Sequence, residues 1–279
     1  MTLSHWRLPG IVGSALSALL IGLLAIAVFG PLLNMLIWTV TEAWYFPAKL
    51  PVRWGFAFWD KVFRPEAGAM RALGTSLLIA GLTVALSLAV AIPAGYALSR
   101  YRFIGRSSSR RFLLVTQMLS PIVLVLGIFR LLVIFGVLND VNVVAVLYAG
   151  FNIAFSVWML ESYFSTIPRD LEEAAWIEGA SRLKTLVKVF LPLALPAIAV
   201  TALFTFVNSW NEFVIALTML RREGDFTLPI QILSIVSGRY AVEWHLVMAA
   251  AFCATLPVAV AFAWMQKFML RGLTAGAVK

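Results

Sequence analysis

Polar side chains interrupt a long apolar stretch at Asn208-Ser209-Trp210-Asn211-Glu212. An ionisable group inside such a stretch is costly and usually faces a cavity or a polar partner. Amide and carboxylate groups hydrogen-bond hydroxyls, and an indole can stack on the face of a sugar ring. One interpretation is that the cluster lines a translocation path and hydrogen-bonds a polyol or sugar, which these residue types permit but do not specify. The candidate path residues are Asn152, Asn208, Trp210, Asn211 and Glu212.

A structural interpretation of the same residues is also open. Glu212 can hydrogen-bond neighbouring helices, or lie near the outer interface as part of a gate. A lone asparagine such as Asn152 often joins two helices inside a membrane.

No other residue set suggests catalysis or metal binding. The single cysteine, Cys253, excludes an intrachain disulfide, and the two histidines, His5 and His245, are far apart in sequence. The sequence contains no Gly-x-x-x-x-Gly-Lys-Ser/Thr, the loop that holds ATP phosphates. We therefore expect no catalytic residue, no metal site and no cofactor in this chain.

A short capped segment lies between two long apolar stretches. Asp170 is predicted to cap a helix, with Glu173 completing a capping box. Ala174 and Ala175 favour helix and carry little bulk, so another surface can approach closely. Gly179 is predicted to end this helix in a left-handed turn.

A second short helix is predicted to follow. Ser181 can cap it, and Pro192 is predicted to stop it after Phe190. A helix–turn–helix of this kind is a docking element for a soluble partner; the alternative is an ordinary connecting loop.

The same segment resembles the coupling loop of the inner-membrane subunits of ATP-binding-cassette importers. The matching residues are Glu173-Ala174-Ala175, Gly179, Val189 and Leu191-Pro192, with valine where isoleucine is common. The tail Arg271–Lys279 is similar to the end of the second permease subunit of maltose-type importers, in the carbohydrate branch. The resemblance covers roughly Leu73 to Lys279.

The resemblance implies partners and roles. The expected partners are a second, different permease subunit, two ATPase subunits that bind ATP and Mg, and an extracytoplasmic solute-binding protein. Residues expected to contact the ATPase are Glu173, Ala174, Ala175, Gly179, Leu191 and Pro192. In the tail, Gly272, Thr274 and Gly276 are expected to insert between the ATPase subunits, unless this is a frayed terminus.

Composition indicates an integral membrane protein. The chain has 279 residues, of which 62% are hydrophobic and 13% charged, and its mean hydropathy is +0.93. A soluble domain needs a more polar exterior. The net charge of +9 does not indicate nucleic-acid binding, because the basic residues lie in short loops between apolar spans.

Apolar runs of about 20 residues predict membrane-spanning helices. The fold class is therefore all-α and polytopic, with cytoplasmic coupling helices. Residues 1–72 hold the first span and an extracytoplasmic segment, 73–265 a five-helix core with coupling loop 161–196, and 266–279 a tail. The six predicted spans are Ile11–Val40, Leu73–Ser99, Phe112–Phe135, Val141–Leu160, Ala197–Leu220 and Leu246–Met265.

The loop Arg100–Arg111 carries five arginines and no acid, which predicts a cytoplasmic location. An even number of spans then places both termini and the coupling loop in the cytoplasm, with the protein in the bacterial inner membrane in contact with lipid. The predicted function is the permease subunit of an ATP-driven importer of a sugar, oligosaccharide, polyol or sugar derivative. The alternatives are a non-sugar solute, or an ion-coupled secondary carrier in which Glu212 binds a proton.

Overall fold

Apolar helices account for most of the chain. A computed structural model describes residues 10–44, 51–64, 68–237 and 242–276. The helices are α1 (Gly10–Thr39), α2 (Ala57–Phe63), α3 (Ala69–Arg100), α4 (Arg106–Met118), α5 (Pro121–Phe135), α6 (Val141–Thr166), α7 (Asp170–Ile177), α8 (Arg182–Thr185), α9 (Leu191–Asn211), α10 (Val214–Met219), α11 (Leu228–Ser237) and α12 (Trp244–Gly276). Two short strands, β1 (Thr41–Ala43) and β2 (Arg53–Trp54), pair antiparallel after α1.

Five helical segments are long and apolar enough to cross a membrane, within the ranges that the structure describes. The predicted third span, Phe112–Phe135, is not one straight helix. It is divided between α4 and α5, which meet at an angle of 93°. Pro121 explains the break, because proline lacks an N–H and disfavours helical geometry at the residue before it. Ser120 is accordingly extended.

The bent pair α4–α5 nevertheless carries the chain across the bundle. At its start, the Arg106 Nε donates to the Leu98 carbonyl at the end of α3, at 2.8 Å. At its other end, Asn139 Oδ1 accepts from the Arg221 N–H at 2.6 Å, and α6 begins just beyond. Because α6 returns from there to the end where α3 finishes, α4–α5 connects the two ends of the bundle. With this bent pair counted as one candidate span, the described residues contain six, the number predicted; without it they contain five.

The predicted fifth span, Ala197–Leu220, also breaks. Helix α9 ends at Asn211, Glu212 is extended, and the short helix α10 follows. The sequence does not reveal this break, because no proline or glycine marks it. The sixth predicted span lies in α12. This helix runs past the predicted end at Met265 to Gly276, so the predicted tail begins as helix.

Helices α3, α6 and α9 form the centre of the bundle. Gly95 lets α3 approach α6 so closely that a Cβ there would lie 3.1 Å from the Glu161 backbone N. Hydroxyl groups join the same helices: Ser209 Oγ donates to Thr83 Oγ1 at 3.3 Å, and Ser156 bonds Thr205 at 3.2 Å. Small residues and interhelical hydroxyl bonds are the usual means of helix association in lipid, where apolar burial offers little gain.

Candidate functional site

Helix α7 presents the predicted docking segment at the end of the bundle where α3 and α6 finish; we call this the coupling end. The predicted cap is wrong in detail. Arg169 occupies the N-cap position without a side-chain hydrogen bond, and Asp170 is the first helical residue. Asp170 and Glu173 still lie in the first turn, where carboxylates favour the positive end of the helix dipole.

Gly179 ends α7 as predicted. Its φ is +79°, in the left-handed region that glycine adopts at low cost. The Gly179 N–H donates to the Trp176 carbonyl and the Ala180 N–H to the Ala175 carbonyl, both at 2.9 Å. This pair of bonds is the Schellman arrangement, which fixes the direction in which the chain leaves the helix.

The second helix of the segment begins as predicted but does not stop at Pro192. Ser181 caps α8 by accepting a hydrogen bond from the Lys184 N–H at 3.4 Å. The chain then continues through a π-helical turn, Leu186–Phe190, directly into α9. Pro192 is the second residue of α9 and follows this turn directly, so it does not end the helical segment. The docking segment is therefore continuous with a membrane-spanning helix.

Glu172, which the sequence did not single out, anchors α7 to the bundle. Only 4% of its surface is exposed. Its Oε1 accepts from Tyr96 Oη at 2.8 Å, and its Oε2 lies 3.8 Å from the Arg100 Nε. The sequence offered one signal for this role. Consecutive residues of a helix point in different directions, so Glu172 and Glu173 cannot both face the ATPase.

Arg100 ties three elements together beneath α7. Its Nη2 donates to the carbonyls of Phe164 and Ile167, at 2.7 and 2.5 Å, where α6 ends. Its guanidinium lies 4.7 Å from the ring centre of Phe190, in the π-helical turn. Because Glu172 of α7 lies 3.8 Å from the same buried guanidinium, Arg100 joins α3, α6 and the π-helical turn to α7.

The opposite face of α7 is open. Glu173 and Ala174 are exposed, whereas Ala175 is buried. Apolar side chains surround them without burial: Ile177 is 88% exposed and Leu183 70%. Exposed apolar groups next to charged residues, beyond the ends of the long helices, are typical of a surface that a partner covers.

A polar cavity of about 300 Å³ lies farther along α6 and α9, away from the coupling end. It brings together three predicted residues, Asn152, Asn208 and Glu212. Asn208 Nδ2 donates to Asn152 Oδ1 at 3.3 Å, and Asn152 Nδ2 donates to the Tyr148 carbonyl at 2.9 Å. The remaining lining residues are Pro121, Tyr148, Phe151, Ser209 and Ile215.

Glu212 has a structural role at the edge of this cavity. Its carboxylate accepts from the backbone N–H of Ile215 at 3.0 Å and of Ala216 at 3.2 Å, at the start of α10. Tyr148 Oη donates to the same carboxylate at 2.5 Å. Glu212 therefore holds the break between α9 and α10 against α6.

Two other predicted path residues do not line the cavity. Trp210 is buried against α12, where its Nε1 donates to the Ala254 carbonyl at 3.2 Å and its ring stacks on Phe206. The structure therefore places its ring outside the cavity, and stacking on a sugar stays a prediction. Asn211 is exposed at the end of α9, outside the cavity lining.

The tail residues Gly272, Thr274 and Gly276 lie on the last turns of α12. The final residues, Ala277 to Lys279, lie outside the described residues.

Residues 81–274 match the family model described as "Binding-protein-dependent transport system inner membrane component". Among curated proteins, the chain is 37% identical over 207 residues to a trehalose/maltose transport system permease protein of Thermococcus litoralis, covering 74% of each chain. It is 33% identical over 204 residues to a maltodextrin transport system permease protein of Bacillus subtilis, covering 73% of each.

The fold is also found in solved structures. A chain of a bacterial ABC transporter involved in the import of the acidic polysaccharide alginate superposes with a TM-score of 0.80 at 22% identity, covering 95% of this chain and 99% of that one. A chain of an alginate ABC transporter in complex with an alginate pentasaccharide-bound periplasmic protein gives a TM-score of 0.68 at 17% identity, covering 92% and 94%. At this level of identity, the likeness shows a shared fold.

Proposed function

The chain belongs to the family of binding-protein-dependent transport system inner membrane components, and we propose that it is the permease subunit of an ATP-driven importer of sugars, oligosaccharides or polyols. The relatives named for trehalose, maltose and maltodextrin transport support the sugar class. The chain itself is a multi-pass membrane protein that forms a path, and the energy comes from ATP hydrolysis in another chain.

The observation that carries this proposal is the construction of α7. One face exposes Glu173, Ala174 and Ile177, while the other is clamped to the bundle by buried Glu172. A soluble ATPase that binds the exposed face would move α7, α3 and α6 together, because Glu172 contacts α3 and Arg100 of α3 contacts α6. Rigid-body rotation of packed helices is an established way to open a path alternately to the two sides of a membrane.

The polar cavity supplies a place for solute in this scheme. Asn152 lies near the middle of α6, and substrate sites of transporters commonly lie near the membrane midplane. Amide groups of Asn152 and Asn208 can bond sugar hydroxyls by giving up their mutual contact. The volume of about 300 Å³ is at the lower limit of known ligand sites.

The partners complete the proposed importer. A second permease subunit pairs with this chain as a heterodimer, two ATPase subunits bind ATP and Mg, and an extracytoplasmic binding protein delivers the solute. The coupling end and both termini lie in the cytoplasm, because the arginine-rich loop Arg100–Arg111 lies at that end. The tail residues Gly272, Thr274 and Gly276 reach the interface between the ATPase subunits.

The proposal is tested by uptake of radiolabelled trehalose, maltose and maltodextrins in cells that carry or lack this chain. Uptake is expected to require the chain and to stop when ATP is depleted while the proton gradient is maintained. Uptake that persists without ATP and stops when the gradient is collapsed would instead identify an ion-coupled carrier. Affinity purification of the chain is expected to bring down an ATPase and a second permease.

A further inference from the structure

A second cavity, of about 530 Å³, lies between α4 and α6 toward the coupling end. We call it the inner groove. It shares no lining residue with the polar cavity described above, although both lie along α6. Its lining combines aromatic rings with hydrogen-bonding groups: Phe155, Trp158, Arg110, Gln117, Glu161 and Ser162.

An ion pair forms the polar wall of the inner groove. Arg110 of α4 contacts Glu161 of α6 through an Nη2–Oε1 salt bridge. Glu161 is more than nine-tenths buried, whereas the Arg110 side chain is 43% exposed. The pair leaves no net charge at this wall but retains donors on the guanidinium and acceptors on the carboxylate. Such a wall suits an uncharged ligand with many hydroxyl groups.

An aromatic side chain lies next to the ion pair on α6, since Trp158 precedes Glu161 by three residues. Trp158 is 53% exposed and lies eight residues before the end of α6, about 12 Å along the helix axis. Phe151, Phe155, Trp158 and Ser162 follow one another at spacings of four, three and four residues, which places them on one helix face. Phe151 lines the polar cavity, so this face connects the two cavities.

We propose that the inner groove is a second sugar subsite on the cytoplasmic half of the solute path. A pyranose ring lies with its apolar face on Trp158 while its hydroxyls bond the Arg110–Glu161 pair and Gln117. A lipid acyl chain would gain nothing from the ion pair, since it has no polar groups to meet it. This inference rests on the proposed function, because it requires that the chain conducts sugars.

The inference is tested with Trp158→Ala and Trp158→Phe in the complete importer. We expect Trp158→Ala to lower sugar uptake by about three- to tenfold, the scale of a lost aromatic contact, and Trp158→Phe to retain most of it. The control is Leu24→Ala on α1, which is exposed and lines neither cavity. Each variant is purified to verify that the ATPase and the second permease remain bound.

A second measurement reports occupancy directly. Ser162→Cys, in a background where Cys253 is replaced by alanine, is labelled with a water-soluble maleimide in inside-out vesicles. The sugar that the wild type imports, chosen among trehalose, maltose and maltodextrins, is expected to slow the labelling.

The outcomes separate the two proposals. Import of none of these sugars by the wild type contradicts the proposed function and this inference together. Normal wild-type import with unchanged Trp158→Ala uptake, or with labelling that sugar does not slow, overturns the inner subsite alone. Loss of the second permease from Trp158→Ala also overturns it, because the groove would then be a subunit interface.

Discussion

Tyr96 Oη donates a hydrogen bond to Glu172 Oε1 at 2.8 Å, and this contact joins the end of α3 to the helix that we propose meets the ATPase. Both side chains are buried. Movement of α7 therefore cannot occur without movement of α3, unless a buried carboxylate loses its partners.

Glu172→Gln is expected to destabilise the chain because it leaves the buried Arg100 guanidinium without a counter-charge. Breaking a well-formed buried ion pair costs about 3–5 kcal/mol, and the 3.8 Å Arg100–Glu172 separation places the expected loss at or below the lower end of that range. The matched control is Glu173→Gln, the exposed neighbour on the same helix. The melting temperature measured in detergent should fall for Glu172→Gln only. Equal melting temperatures of the two variants would show that the buried contact contributes nothing to stability.

Gly179→Val is expected to impair coupling through backbone strain alone. A Cβ at Gly179 would meet no atom within 4 Å, but φ is +79°, which costs a β-branched residue about 1–3 kcal/mol. Gly179→Asn should be milder, since asparagine tolerates this region. The measurements are uptake and co-purification of the ATPase, with Gly150→Ala as a helical control that has open space around it. Normal values for Gly179→Val would contradict the proposed role of the turn.

Gly95→Ala is expected to destabilise the bundle, whereas Gly81→Ala on the same helix is not. The new Cβ at Gly95 would lie 3.2 Å from Leu160 Cβ, while at Gly81 it meets nothing within 4 Å. Replacing glycine by alanine inside a helix otherwise stabilises by about 0.5–1 kcal/mol. Opposite shifts of the melting temperature are therefore expected, and a gain at both positions would rule out the close α3–α6 approach.

Glu212→Ala is expected to lower uptake more than Glu212→Gln does. Alanine removes the acceptor for the α10 amides, a loss of about 0.5–2 kcal/mol for a helix cap, whereas the glutamine oxygen can still accept. If Glu212 instead carried a transported proton, glutamine would abolish uptake as fully as alanine. Uptake and its dependence on ATP are measured for both variants.

Reporter fusions test the number of crossings. A reporter after Arg106 is expected in the cytoplasm, and reporters at Asn139 and Gly224 on the other side. The Asn139–Arg221 hydrogen bond places the last two positions at one end of the bundle. The same compartment for Arg106 and Asn139 would mean that α4–α5 is a re-entrant loop, and the six-crossing arrangement would be wrong.

The sequence by itself determined the features that depend on local chemistry. Apolar length predicted the crossings, and a left-handed turn was expected at Gly179 because other residues adopt it at a cost. Ser181 was identified as an N-cap because its hydroxyl can accept a hydrogen bond from an unpaired backbone N–H at the start of a helix. The Asn208–Glu212 cluster was recognised because polar groups are costly inside an apolar segment.

Only the tertiary structure decided which side chains face one another. Glu172 and Glu173 are both glutamates, yet the first is buried and the second exposed. The difference depends on where α3 and α6 pack against α7. Trp210 and Asn208 are neighbours in one helix, yet the first contacts α12 and the second the polar cavity. The break at Glu212 is likewise invisible locally, because it depends on Tyr148 from another helix. Packing between distant segments sets these choices, and no pattern within a single segment contains that information.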